Sequence, residues 1–470
     1  MIEFSDVQGN ILRGYRMPRV RYLILEVADR AAARRWLAAS ASDGGNGVPQ
    51  ITPGHWGDSR PDTCFNIGLT YEGLRALGTP NSSLEMFPNE FIEGMNARAL
   101  KLGDVGRSAP QTWPAPFNEP ERIHLIASIY AAEVAQLDDV QQRALADGRA
   151  WKLLGTREGC SFPDDVVHFG YRDNIMQPRF DGVHDPQRHA DGQPMAPLGT
   201  VLLGHPTNLE GLTWRVPQPE ILGRNGTFNA FRVLKQDVVG FEEYLDQAAS
   251  YLLKHPKVDE VLPPGAEVKI CEVLSIAPPS RHGALREIVA ANLCGRWRDG
   301  TPLALSADAP DPSVNRANFD YVSDSRCPYG AHIRRCNPRG GHIVQRIANN
   351  SRRLVRRGMP YGPAYDRAKR KQDEPEPERG LLGNFIGASL GAQFEAMSCD
   401  WLNLGLQDPR ITGSNDPITG TNNPHTSWFD LPLASGDTIP LRGLPEFVTT
   451  RGGAYTFLPS LSAIRYLGSL

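Results

Sequence analysis

Apolar and polar positions along the chain fall into strand-like and helix-like blocks that alternate. "RYLILEVA" (21–28) reads as a strand and "RAAARRWLAAS" (30–40) as the helix after it. "FNIGLTYEGLRALG" (65–78) reads as a second strand running into a second helix, "IHLIASIYA" (123–131) as a further strand, and "AAEVAQLDDVQQRALAD" (131–147) as a helix. Strand, helix, strand, strand, helix, strand is the ferredoxin-like order. The second half repeats it. "FNAFRVLKQDVVGFEEYLDQAASYLL" (228–253) is a strand and an amphipathic helix, "GLLGNFIGASLGAQFEAMSCDWLN" (380–403) is again strand then helix, and "AYTFLPSLSAIRYL" (454–467) closes the chain. The predicted class is α+β, two ferredoxin-like domains of the dimeric α+β barrel type with long surface loops. Turn signals cluster in "PTNLEGLTWRVPQPEILGRNG" (206–226), so the expected domains are 1–215 and 216–470.

Length agrees with doubling, because 470 residues exceed what one hydrophobic core usually organises. Irregular stretches near 102–120, 181–222 and 405–445 are longer than ordinary connections and are expected to wrap the surface or roof a pocket. "RAKRKQDEPEPERG" (367–380) is a solvated run of mixed charge. A formal net charge of −3 supplies no electrostatic reason for a nucleic acid or an anionic membrane as the main partner. The seven cysteines are odd in number, scattered and mostly flanked by apolar residues, which points to buried free thiols. Cys327 and Cys336 are the pair that a disulfide or half of a metal site would use, but no second pair stands at zinc spacing. The N-terminus has no apolar leader core and no twin arginine, and no segment has the apolar length to cross a bilayer, so a cytoplasmic protein is expected.

Three segments carry candidate chemistry. In "DSRCPYGAHIRRCNPRGG" (323–340), His332 is followed by Arg334, Arg335 and Arg339. On residues alone a satisfied core histidine and an iron ligand both remain open; the forked arginine cations suit anionic carboxylates such as haem propionates. In "HFGYRDNIMQPRFDGV" (168–183), Asp173 is either an Asx-turn aspartate or a proton shuttle aimed into a cavity. In "NNSRRLVRRGMPYG" (349–362), one of four arginines is suited to stabilise developing negative charge, but spacing does not say which.

Together with "DVQGNILRGY", "FNAFRVLKQDV", "CPYGAHIRRCNPR", "RRGMPYG" and "GGAYTFLPSL", these segments resemble the recurring blocks of the dye-decolorizing peroxidase family, in the family's order and over nearly the whole chain. The length resembles its larger C/D-type members. The resemblance implies haem b (iron protoporphyrin IX) in the C-terminal domain, with His332 as proximal ligand and Arg339 at a propionate; Arg334 is a second cofactor-binding candidate. It also implies Asp173 as the distal aspartate and Arg356 as the distal arginine, with Arg357 and Arg353 as fallbacks. The implied activity is reduction of hydrogen peroxide through an oxoferryl intermediate, with oxidation of an organic electron donor such as a dye or a phenol. An aspartate shuttle predicts an acidic optimum, since carboxylates exchange protons at lower pH than histidine. A proximal histidine usually donates its other ring proton to an acceptor, for which Glu395 is favoured over Asp400. Trp401, Tyr361 and Tyr455 are expected to be packed aromatics before electron relays. A homo-oligomer is compatible with the sequence.

Two departures from the family pattern stand out. Asn174 follows Asp173 where the family has glycine, though asparagine tolerates the left-handed conformation such a turn needs. Gly383 and Asn384 replace bulky apolar residues near the distal face, which predicts a roomier or more polar pocket. These keep two alternatives open: a haem-dependent biosynthetic oxidase or oxygenase, and a non-catalytic haem carrier.

Overall fold

The computed structural model describes residues 3–42, 47–56, 60–185, 192–209, 211–322, 326–340, 352–370 and 374–470. In the first half, strand β1 (Arg19–Val27) leads into helix α1 (Arg30–Ser40). Asp29 starts that helix by accepting the Ala32 N–H at 2.7 Å, and its buried face carries Ala32, Ala33, Trp36 and Leu37 at helical spacing. Strands β2 (Thr63–Leu69) and β3 (Leu125–Ala131) follow, then helix α2 (Val134–Leu145) and strand β4 (Trp151–Cys160). The strands lie antiparallel in the order β4-β1-β3-β2.

The second half is built from β5 (Thr227–Gln236), α3 (Val238–Leu253), α4 (Arg281–Cys294) and α5 (His332–Cys336). The short edge strands β6 (Val355–Arg356) and β7 (Met359–Tyr361) come next, followed by β8 (Gly380–Gly387). The chain ends with the hairpin β9 (Trp428–Pro432) and β10 (Thr438–Arg442), then β11 (Val448–Leu458) and α6 (Leu461–Ser469). Its sheet runs β11-β5-β8-β6, with β7 beside β8. Counting β6 and β7 together as the second strand, both halves have their strands in the order four, one, three, two, so the α+β doubling expected from the pattern is present. The halves meet edge to edge where Phe457 of β11 pairs with Leu69 of β2.

The main core is shared between the halves. Tyr22, Ile67 and Phe91 from the first pack in one cluster with Phe228, Phe231 and Phe457 from the second. Ring contacts cross the seam at 5.4 Å for Phe91 with Phe228 and 5.3 Å for Phe87 with Phe457. A second cluster joins α3 and α4.

Two elements depart from the expected pattern. The stretch 405–445 contains the β9–β10 hairpin, whose buried residues Phe429, Leu431, Ile439 and Leu441 alternate with exposed ones. Pro432 and Pro440 obscure that alternation, because proline argues against strand in a sequence reading. Helix α4 leaves no amphipathic signature, since every residue from Glu287 to Cys294 is buried. None of the seven cysteines forms a disulfide, so the disulfide possibility at Cys327 and Cys336 is not realised. Burial pushes the thiols of Cys64 and Cys294 up to about 11. Among the described residues no helix is long and apolar enough to cross a membrane.

A buried ion pair ties the halves together. Both Arg232 terminal nitrogens reach the Asp104 carboxylate at 2.6 Å, with side-chain exposures of 8% and 2%, and Thr450 bonds to both partners at 2.8 Å. Removing one member strands a charge in the interior. Asp104→Ala is expected to lower unfolding stability by roughly 3–5 kcal/mol, measured by urea denaturation, whereas a change below about 1 kcal/mol would show that the pair is not isolated from water.

Candidate active site

His332 opens α5, a single turn whose position is set by its neighbour in sequence. Arg335 donates to the carbonyls of Gly330 at 3.0 Å, Trp401 at 3.2 Å and Ser414 at 2.9 Å, and to the Ser414 hydroxyl at 2.6 Å. It therefore clamps α5 onto the 401–416 segment and is not an open cation. From that segment the Asp416 carboxylate comes within 3.0 Å of His332 Nδ1. Asp416 is fully buried, and its other oxygen accepts the N–H groups of Ile418 at 2.9 Å and Thr419 at 2.7 Å, and the Thr419 hydroxyl at 3.1 Å.

This corrects the expectation for the histidine's partner, which is Asp416 and not Glu395. Glu395 sits in the wide π-type turns after β8, where its carboxylate receives Arg98 at 3.0 and 2.8 Å and the Tyr455 hydroxyl at 3.0 Å. Burial raises its pKa, but those donors outweigh burial and leave it lowered. Asp400 pairs with Arg352 at 3.2 Å.

With Asp416 as an acceptor, the proton belongs on Nδ1, which leaves Nε2 as the nitrogen that could take a metal. Among the described residues Nε2 has no oxygen or nitrogen partner, and Cys336 Sγ lies 3.9 Å away. Burial opposes the imidazolium, but Cys336 and Asp416 outweigh it and hold the His332 pKa well above its usual value. Metal binding at Nε2 has to displace that proton.

Asp173 and Arg356 come together on a cavity of about 240 Å³, Asp173 Oδ1 lying 3.5 Å from Arg356 Nη1. The Asp173 N–H donates to the Asp165 carbonyl at 2.9 Å, and Asn174 takes φ 60°, the left-handed turn that asparagine was expected to tolerate. Arg356 is fixed by β6 and by its N–H on Gln177 at 3.0 Å. Arg357 lines the same cavity, while Arg353 turns toward Met176.

Met176 links this pair to two further cations. Its carbonyl accepts Arg356 at 3.3 Å, and its sulfur lies 3.0 Å from Arg339 and 3.9 Å from Arg353. Arg339 also donates to the carbonyls of Ala317 and Phe319 at 3.0 Å each, with its guanidinium 3.9 Å over the Phe319 ring. Burial lowers Arg339 to about 10 and lowers Arg353 as well. Neither has a carboxylate partner among the described residues. Desolvated guanidiniums without an acid are costly, and paired anionic groups such as haem propionates fit them. Arg334 is differently placed: it bonds to the Cys327 carbonyl at 2.5 Å and stacks on Tyr321 and Tyr329 at 4.5 and 4.1 Å.

The β8 departures do not enlarge the pocket as expected. The Phe385 ring fills the space a side chain at Gly383 would need. Asn384 is buried, donating to the Tyr22 hydroxyl at 2.6 Å and accepting from Asn229 at 2.8 Å. Trp401 and Tyr455 are 3% and 2% exposed, in line with packed aromatics, whereas Trp428 and Tyr251, which the motifs did not single out, reach solvent.

A histidine nitrogen backed by a buried carboxylate and a carboxylate–guanidinium pair on a cavity are groups that a haem peroxidase could use. No protein-family model matches the chain. A dye-decolorizing peroxidase of Mycetinis scorodonius is 27% identical over 99% of this chain and 87% of its own length. A multifunctional dye peroxidase of Amycolatopsis sp. is 28% identical, over 98% of this chain and 95% of its own. The solved structure of a dye-decolorizing peroxidase in complex with 2,6-dimethoxyphenol superposes with a TM-score of 0.80 at 25% identity, covering 100% of both chains. Over its full length the chain is similar to the dye-decolorizing peroxidases, which are haem enzymes, and it is a hydrogen peroxide-dependent oxidoreductase.

Asp416→Asn keeps the size of the carboxylate and removes its charge. Haem affinity is expected to fall roughly 10–100-fold, read as the rate of haem transfer to apomyoglobin; an unchanged rate would mean that Asp416 does not support the ligand. Glu395, with its folded-state pKa depressed, contributes stability that is present above the unfolded value of about 4.3 and is lost as pH falls through the folded one. Melting temperatures recorded against pH should therefore show a wild-type advantage over Glu395→Gln that shrinks on acidification below that value.

Proposed function

We propose that the chain binds haem b, which His332 Nε2 would hold at the iron and Arg339 and Arg353 at the propionates, and that Asp173 and Arg356 act on hydrogen peroxide. The bound haem supplies the redox chemistry, accepting oxidation from peroxide and passing it to donors one electron at a time. Asp416 keeps the proton on His332 Nδ1 and strengthens Nε2 as a donor. Asp173 takes a proton from one peroxide oxygen and returns it to the other, which departs as water. Arg356 stabilises the negative charge that builds on the departing oxygen.

At 3.5 Å and with both side chains nearly half exposed, the Asp173–Arg356 pair is weak, on the order of 0–1 kcal/mol, so it does not lock the carboxylate in place. This pair, standing on a cavity in a chain that aligns end to end with dye-decolorizing peroxidases, carries the reading. Phenols and dyes are the proposed donors, by likeness to the relatives. Of the three residues behind the oxidase alternative, Gly383 and Asn384 do not open the cavity beside Asp173, while Asn174 lines it. A carrier would have no use for Asp173 beside Arg356.

The test is the absorption spectrum of haem-reconstituted protein before and after one equivalent of peroxide. Wild type is expected to show a rapid Soret change, slowed roughly 10²–10³-fold in Asp173→Asn and Arg356→Leu. A wild-type Soret band that peroxide leaves unaltered or only bleaches would overturn the reading. With an aspartate carrying the proton, the wild-type rate should peak in the acid range; a neutral optimum in haem-loaded, reactive protein would remove Asp173 from that role.

A further inference from the structure

We propose that the cavity beside Asp173 and Arg356 binds a single-ring aromatic carboxylate, with the carboxylate on the guanidinium of Arg357. The cavity holds about 240 Å³, below the roughly 300 Å³ at which pockets for drug-sized ligands begin. A one-ring molecule is the right size. Tyr15, Tyr130, Phe162 and Met359 supply aromatic and apolar wall on which a ring can lie.

Charge then selects among one-ring molecules. Three guanidiniums and two carboxylates line the cavity, which leaves one positive charge in excess. Asp165 is matched by Arg16 at 3.4 Å and Asp173 by Arg356 at 3.5 Å, so neither carboxylate repels an entering anion with its full charge. Arg357 is the excess cation. Its partners are the carbonyls of Asn10 at 2.8 Å, and of Ile11 and Arg356 at 3.4 Å each; among the described residues it has no carboxylate. The two 3.4 Å contacts are long for N–H···O bonds, so both terminal nitrogens keep donor capacity. Burial lowers the Arg357 pKa to about 10, which leaves it cationic at neutral pH. A guanidinium in that position matches the planar fork of a carboxylate.

The space over this guanidinium is open. Gly14 lies there, and a Cβ added to it would meet only Arg357 Nη1, at 3.8 Å. The ligand would occupy that gap between Gly14 and the ring-bearing wall. That the bound acid lies beside reacting peroxide rests on the peroxidase reading; binding itself rests on the cavity alone.

The experiment is isothermal titration of the haem-loaded holoenzyme with 4-hydroxybenzoate and with its neutral counterpart, 4-hydroxybenzamide. The acid is expected to bind at least roughly tenfold more tightly, as a charge-assisted contact requires. Arg357→Gln should erase the preference. Gly14→Val, which places its side chain over the guanidinium at an exposed position, should abolish binding of the acid with no change in melting temperature. If Arg357→Gln fails to fold because the Asn10 carbonyl loses its donor, Gly14→Val decides alone. Equal affinities for the two probes, no binding, or acid binding that survives Gly14→Val would overturn the proposal. A holoenzyme that responds to peroxide but ignores the acid overturns this inference and leaves the peroxidase reading standing. Selective acid binding without a peroxide response supports the site and overturns the peroxidase reading.

Discussion

The carboxylate of Asp416 is the constraint around which the proximal side is organised. It lies entirely out of water, where an unpaired charge would cost several kcal/mol, and its oxygens are occupied by two backbone N–H groups, a hydroxyl and His332. Each member therefore needs the others. The turn at 416–419 holds the carboxylate, the carboxylate sets the histidine tautomer, and Arg335 holds the histidine's helix against the same stretch of chain. Desolvation makes this arrangement rigid, which suits a ligand whose ring orientation has to be fixed before a metal arrives.

The distal side is built differently. Asp173 and Arg356 are half exposed and loosely paired, and they come from separate parts of the chain: a turn after β4 and an edge strand hydrogen-bonded to β8. Their cavity is walled by Tyr15 and Tyr130 of the first half and by Arg357 and Met359 of the second. The shared core, which includes Tyr15, Tyr130 and Met359 of the cavity wall, and the buried Arg232–Asp104 pair tie the two halves together. The His332–Asp416 pair is buried and tightly bonded, whereas the Asp173–Arg356 pair is exposed and loosely held.

Much of this was legible in the pattern of residues. Strand and helix periods placed β1, α1, β3, α2, β5 and α3 to within a few residues, and the doubled plan followed from their order. The asparagine turn after Asp173 was readable because left-handed conformations have a small set of tolerant residues. What stayed hidden had a physical cause in each case. Helix α4 is buried all round and so carries no stripe; the β9–β10 hairpin is punctuated by prolines; the consequences of Gly383 depended on where the Phe385 ring would lie.

The site shows the same boundary between local and non-local information. The sequence by itself determined which residue types were available and the local shapes that carry them: a histidine followed by arginines, an aspartate in a turn, an arginine run leading into a strand. Only the tertiary structure decided which cation faces which anion. Glu395 was the nearer and more plausible partner for His332 on a helical reading, yet it is neutralised by Arg98 from the first half, while Asp416, 84 residues from the histidine, makes the bond. Arg334 and Arg335 stand in the same stretch as Arg339, but stacking and carbonyl clamps engage them, while Arg339 and Arg353 have no acid among the described residues. Turn and helix preferences act over a few residues and can be read along a chain. Charge pairing follows burial and distance in space, and those exist only once the chain has folded.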